Sequence, residues 1–80
     1  MEQFDPYALI DNQSLAVVNG KGELRTVYCP FRVLCIQDQR HVASGCWYYV
    51  QAVTAKSNLI NYHIGGHVFN HSLFQIYISF

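Results

Sequence analysis

Charge is what this chain has least of. Five Lys and Arg balance five Asp and Glu, so charged residues are 12% of the 80 and the formal net charge is zero. An average soluble protein carries about 25%. Non-specific nucleic-acid binding rests on Lys and Arg neutralising phosphates, and here Arg25, Arg32 and Arg40 are scattered rather than clustered. A primary nucleic-acid role is therefore not expected. Long hydrophobic runs are missing too: no segment approaches the ~18 consecutive apolar residues of a membrane span, so no membrane partner is expected. The start, Met1-Glu2-Gln3-Phe4-Asp5-Pro6, lacks the basic opening and apolar core of a signal peptide, and a cytoplasmic location is the default expectation. Cysteine is sparse and odd in number. Cys29, Cys35 and Cys46 stand at spacings unlike a disulfide framework and read as reduced thiols.

What is present is apolar and aromatic. Hydrophobic residues make up 51% of the chain, which excludes a disordered polymer. A chain of this length forms one domain. It buries only about 60–65% of the surface its unfolded form exposes, so modest stability is expected unless a disulfide, a metal or a second chain helps. Little charge and many aromatics also weaken the repulsion that keeps small proteins apart, which makes a homo-oligomer or a protein partner the natural expectation.

The pattern along the chain is that of an all-β protein. Residues 1–12 read as a weakly patterned arm, with Asp5-Pro6 able to open one helical turn. Asn19-Gly20 lies between Leu15–Val18 and Leu24–Cys29, a strong hairpin signal because both residues accept positive φ. Pro30 breaks the second run, so a new strand is expected over Phe31–Gln37, then a loop from Asp38 to Gly45. Trp47–Thr54 reads as one strand, rich in aromatic and β-branched residues. Lys56-Ser57-Asn58 is a turn. Gly65-Gly66 joins Leu59–Ile64 to His67–Asn70 inside a stretch, Ser57 to Phe80, with no Lys, Arg, Asp or Glu. A kink at 71–74 precedes a last strand, Gln75–Ser79.

From Phe31 onward this order of strand, long loop, three-strand meander, single turn and short last strand resembles the SH3-like β-barrel. More narrowly, Gly45-x-x-Tyr48-x-Val50 and Tyr62-x-Ile64-x-Gly66-x-x-Phe69-x-x-x-x-Phe74 are similar to a pattern in small bacterial and phage SH3-like domains. The likeness covers residues 31–79 and leaves residues 1–28 as an N-terminal arm and hairpin. It implies a fold of about five short strands and no particular mechanism, because such barrels host many functions. An OB-type barrel is the alternative, although its five strands usually need more residues. The peptide groove of signalling SH3 domains does not carry over: the long loop, Asp38-Gln39-Arg40-His41-Val42-Ala43-Ser44, has no aromatic and one acid.

Candidate chemistry is thin. His63, His67 and His71 recur every four residues and would share one face of a helix like metal ligands. The diglycine makes a hairpin instead, pairing Ile64 with His67, Tyr62 with Phe69 and Ile60 with His71, with His63 on the opposite side. No metal or other cofactor is expected. The cysteines lie in strand-like aromatic segments, where free Cys behaves as a small hydrophobe rather than a nucleophile. No two carboxylates converge for acid–base work, and catalytic residues are not expected. The aromatics say more. Trp47-Tyr48-Tyr49 must project to alternate faces of a strand. If Tyr48 and Val50 enter the core, as the resemblance implies, Trp47, Tyr49 and Gln51 face outward. Trp47 and Tyr49 are then candidate partner-binding anchors with Arg32 as a rim contact, unless the N-terminal hairpin folds across them. Gln75–Phe80, uncharged and strongly β-forming, needs cover from that N-terminal segment or from a second protomer. The expectation is a non-enzymatic protein-interaction module. The alternatives are single-stranded nucleic-acid binding through stacked aromatics, and a histidine metal site or pH switch.

Overall fold

A computed structural model describes residues 2–79. They form two antiparallel sheets and one 3-10 turn. The strands are β1 (Glu2–Asp11), β2 (Ser14–Asn19), β3 (Leu24–Tyr28), β4 (Phe31–Cys35), β5 (Trp47–Val50), β6 (Ala52–Lys56), β7 (Leu59–Ile64), β8 (His67–Asn70) and β9 (Phe74–Ile78), with the 3-10 turn at His71–Leu73. The larger sheet has the order β3-β2-β1-β9-β4-β5 and the smaller β6-β7-β8. Among the described residues neither sheet closes into a barrel.

Two of the hairpins turn through paired residues at positive φ. Gly65 and Gly66 sit at φ +57° and +83°, and Ser57 and Asn58 at +54° and +65°, as two-residue turns matched to strand twist require. The Asn19-Gly20 turn falls where expected but works differently. Only Gly22 in it has positive φ, and Asn19 instead accepts the Lys21 and Glu23 amides on its side-chain oxygen. Its amide nitrogen donates to the Glu2 and Glu23 carboxylates, so this nearly buried residue ties β1, β2 and the turn together.

Three expectations need correction. The N-terminal arm is the longest strand, and Asp5-Pro6 is part of it rather than a helical turn. Register shifts between Pro6 and Ala8 and between Leu9 and Asp11 interrupt its alternation, which hid it from a period-2 reading. Second, Trp47–Thr54 is two strands. The Gln51 amide donates to the His63 carbonyl, while Ala52 is the ladder partner of His63. Two residues opposite one form a bulge, and there the chain leaves the larger sheet for the smaller. Third, the β7–β8 ladder ends at Asn61 opposite Asn70, so Ile60 does not pair with His71. The Asn70 side chain instead accepts the Ser72 amide and opens the 3-10 turn.

The core lies between the sheets. Leu15, Val17, Val33, Val50 and Ile76 from the larger sheet meet Val53, Tyr62 and Phe69 from the smaller. Tyr62 is 1% exposed, with its ring edge-on to Phe31 at 5.7 Å and tilted against Phe74 at 5.8 Å. Burial, with Asp5 adding to it, pushes the Tyr62 phenol well above its ordinary pKa. The N-terminal hairpin joins the larger sheet edge-on, because β1 pairs with β9 through Glu2–Ile78, Gln3–Tyr77 and Phe4–Ile76. The last strand is thereby covered on both sides within one chain, by β1 and β4. Among the described residues no helix is long and apolar enough to cross a membrane.

Candidate functional site: an aromatic face beside a free strand edge

Alternation along β4, β5 and β9 sends one set of side chains between the sheets and the other outward. Val33, opposite Tyr48 and Ile76, belongs to the inner set. Arg32 and Leu34, opposite Tyr49 and Trp47, belong to the outer one. Trp47 is 39% exposed and Tyr49 61%. The hairpin that was a rival cover for this face extends the sheet sideways instead, so both aromatics stay open to solvent.

The outward side chains form a connected group. The Arg32 guanidinium lies over the Trp47 ring, 4.5 Å from its centroid. Trp47 also meets the Tyr77 ring at 6.0 Å in an edge-to-face arrangement. The Tyr77 hydroxyl donates to Gln75 Oε1 at 2.6 Å, which holds that ring along β9. All three expected residues therefore share one surface. Tyr77 is the member missed by sequence reasoning, although the alternation of Phe74, Ile76 and Ile78 inward already places it outward. A cation over an aromatic face contributes about 0.5–1 kcal/mol at an exposed site, enough to bias the indole toward one orientation.

Among the described residues no further strand pairs with the backbone beside these rings. β5 is the last strand of its sheet. The Cys46 carbonyl accepts the Cys35 amide, so by alternation Tyr48 and Val50 bond to β4 while the amides and carbonyls of Trp47 and Tyr49 point away from it. The loop before β5 is pinned from inside: Val42 is buried, the Tyr48 hydroxyl accepts the Ala43 amide and the Asp38 carboxylate accepts the Ser44 amide.

The remaining candidates are dispersed. His63 shares a 2.9 Å hydrogen bond with Thr54 on the smaller sheet. His67 stacks on His41 with centroids 3.8 Å apart, a contact between the long loop and the diglycine hairpin that no local pattern announces. No three His, Cys, Asp or Glu side chains gather as metal ligands among the described residues. Cys35 is buried with its thiol against the Gln37 carbonyl, Cys46 is exposed, and burial together with nearby Asp11 raises the pKa of the half-buried Cys29 thiol. Among the described residues no pocket is present. Comparison with protein-family models, curated proteins and solved structures finds no match.

Proposed function

We propose that this chain is a non-enzymatic interaction module of SH3-like type, which binds a protein segment through the outer face and free edge of β5. The observation that carries the reading is the coincidence of two features on one strand. Trp47 and Tyr49 expose aromatic side chains, and the same two residues turn their main-chain amides and carbonyls away from β4. An extended segment laid along β5 would gain main-chain hydrogen bonds from the edge, with specificity from Trp47, Tyr49 and the Arg32 rim. Interfaces draw most of their energy from such Trp, Tyr and Arg residues. The SH3-like assignment is supported by the element order after Phe31: β4, a long loop, β5 to β8, one 3-10 turn and β9. Three free cysteines fit a reducing, cytoplasmic setting.

Selection of peptides on the immobilised protein tests this reading. Trp47→Ala and Tyr49→Ala should each weaken a selected peptide about 10-fold or more, while Leu59→Ala on the other sheet leaves it unchanged. Binding indifferent to both aromatics, or loss of the native fold in Trp47→Ala, would overturn it. A second reading, stacking of single-stranded nucleic acid, draws on the exposed Tyr49 ring beside Arg32. Titration with a labelled oligonucleotide at low salt decides it, and an unchanged signal removes it.

A further inference from the structure

At the opposite end of the larger sheet β3 makes a second edge, which is free among the described residues. Its bonding parity is set at both ends: the Cys29 amide donates to the Gln13 carbonyl, and the Glu23 carbonyl accepts the Asn19 amide. Residues 23, 25, 27 and 29 therefore face β2, and the amides and carbonyls of Leu24, Thr26 and Tyr28 point away from the sheet. The side chains of these three residues share the outer face. Tyr28 is 71% exposed and Leu24 53%.

We propose that β3 pairs antiparallel with β3 of a second copy, about a two-fold axis at Thr26. Of the antiparallel registers that this parity permits, only the one centred on Thr26 engages all three outward residues of both copies. It makes six main-chain hydrogen bonds, two for each of the Leu24–Tyr28, Thr26–Thr26 and Tyr28–Leu24 pairs. The side chains match as well. Each exposed Tyr28 lies across from an exposed Leu24, and the two threonines meet at the axis, a favourable cross-strand combination. The self-complementarity selects a second copy over an unrelated strand, because a two-fold interface presents the same patch twice. Zero net charge removes long-range repulsion between the copies. Pro30, which has no amide hydrogen, ends the edge just past Tyr28 and confines the pairing to β3. The Arg25 guanidinium donates to the Leu24 carbonyl at 3.0 Å, a contact that an incoming Tyr28 amide joins at the second lone pair or replaces. The pairing is independent of the β5 surface, which lies at the far side of the same sheet.

Sedimentation velocity over roughly 5–500 μM, with hydrogen exchange read residue by residue, tests the pairing. The expected result is a monomer–dimer equilibrium in which the Leu24, Thr26 and Tyr28 amides become at least 10-fold more protected as concentration rises. Thr26→Lys, which brings two ammonium groups together at the axis, should abolish the dimer. An equimolar mixture of Thr26→Lys and Thr26→Glu should restore it as a heterodimer, and that rescue excludes misfolding as the cause of the loss. A monomer throughout the range overturns the proposal. So does a dimer that survives Thr26→Lys, or one lost in Trp47→Ala but not in Thr26→Lys. The last outcome would assign self-association to the β5 surface and leave the reading of that surface standing.

Discussion

Replacing Tyr62 probes what holds the two sheets together. Its ring comes from the smaller sheet and packs between Phe31 and Phe74 of the larger, at 5.7 and 5.8 Å. Each aromatic pair of this kind contributes about 0.5–1.5 kcal/mol beyond area burial, so Tyr62→Leu, which keeps much of the apolar volume, should cost ~1–3 kcal/mol. Tyr62→Ala adds a cavity in the middle of the core and should reach ~3–5 kcal/mol. At roughly 0.05–0.15 kcal/mol per residue, a domain of this size has only ~4–12 kcal/mol in all. The leucine variant should therefore remain folded, whereas the alanine variant loses a large share of its native population. Urea denaturation followed by far-ultraviolet circular dichroism reads the difference. With a slope near ~1 kcal/mol/M, the leucine midpoint should fall by about 1–3 M. A Tyr62→Ala midpoint within 0.5 M of the parent would mean that the sheets are joined mainly elsewhere, and the inter-sheet role of this ring would be wrong.

Two further outcomes follow from turns and charges. Gly66→Ala places a side chain at φ +83° and should cost about 1–2 kcal/mol, while Ser57→Gly relieves φ +54° and should gain up to ~1 kcal/mol. Thermal melting would show shifts of opposite sign, about 4–8 °C per kcal/mol in a domain this small. The Asp11 carboxylate is held below its ordinary pKa by the Ser14 hydroxyl first and the Gln13 amide second, and that of Glu23 by the Asn19 amide and then by Arg25. A carboxylate lowered in the folded state stabilises it above the unfolded pKa of about 4, and this contribution is lost as pH falls through the lowered value. Asp11→Asn should thus flatten the acid limb of stability below about pH 4 in urea midpoints measured from pH 3 to 6. An unchanged limb would refute the role given to the Ser14 contact.

Much of the fold was legible because turn chemistry is local. Gly65-Gly66 adopts the positive φ that glycine accepts freely and Asn58 the one that asparagine tolerates, and the alternation around these turns places Tyr62, Ile64 and Phe69 inward. Two misreadings share a cause. Bulges add a residue to one strand, so β1 loses its period at Tyr7 and Ile10, and the run from Trp47 to Thr54 conceals a change of sheet at Gln51. A period-2 reading assumes that no residue is extra. At the candidate site, the outward direction of Trp47 and Tyr49 follows from alternation alone. That Arg32 lies on the Trp47 ring depends on the β4–β5 register, and the Tyr77 contact on β9 joining β4 from forty residues away; neither is a local property. The His41–His67 stack joins two loops in the same non-local way.

The position of β9 between β1 and β4 bears on how the molecule assembles. During synthesis this central strand emerges after every strand it must join, so the larger sheet waits as two fragments, β1–β3 and β4–β5. Ladder partners such as Glu2 and Ile78 are separated by nearly the whole chain, which favours slow, late closure over stepwise zippering. Until residues 74–78 arrive, the inner edges of both fragments are exposed, and that interval is when a neighbouring nascent chain would most readily intrude.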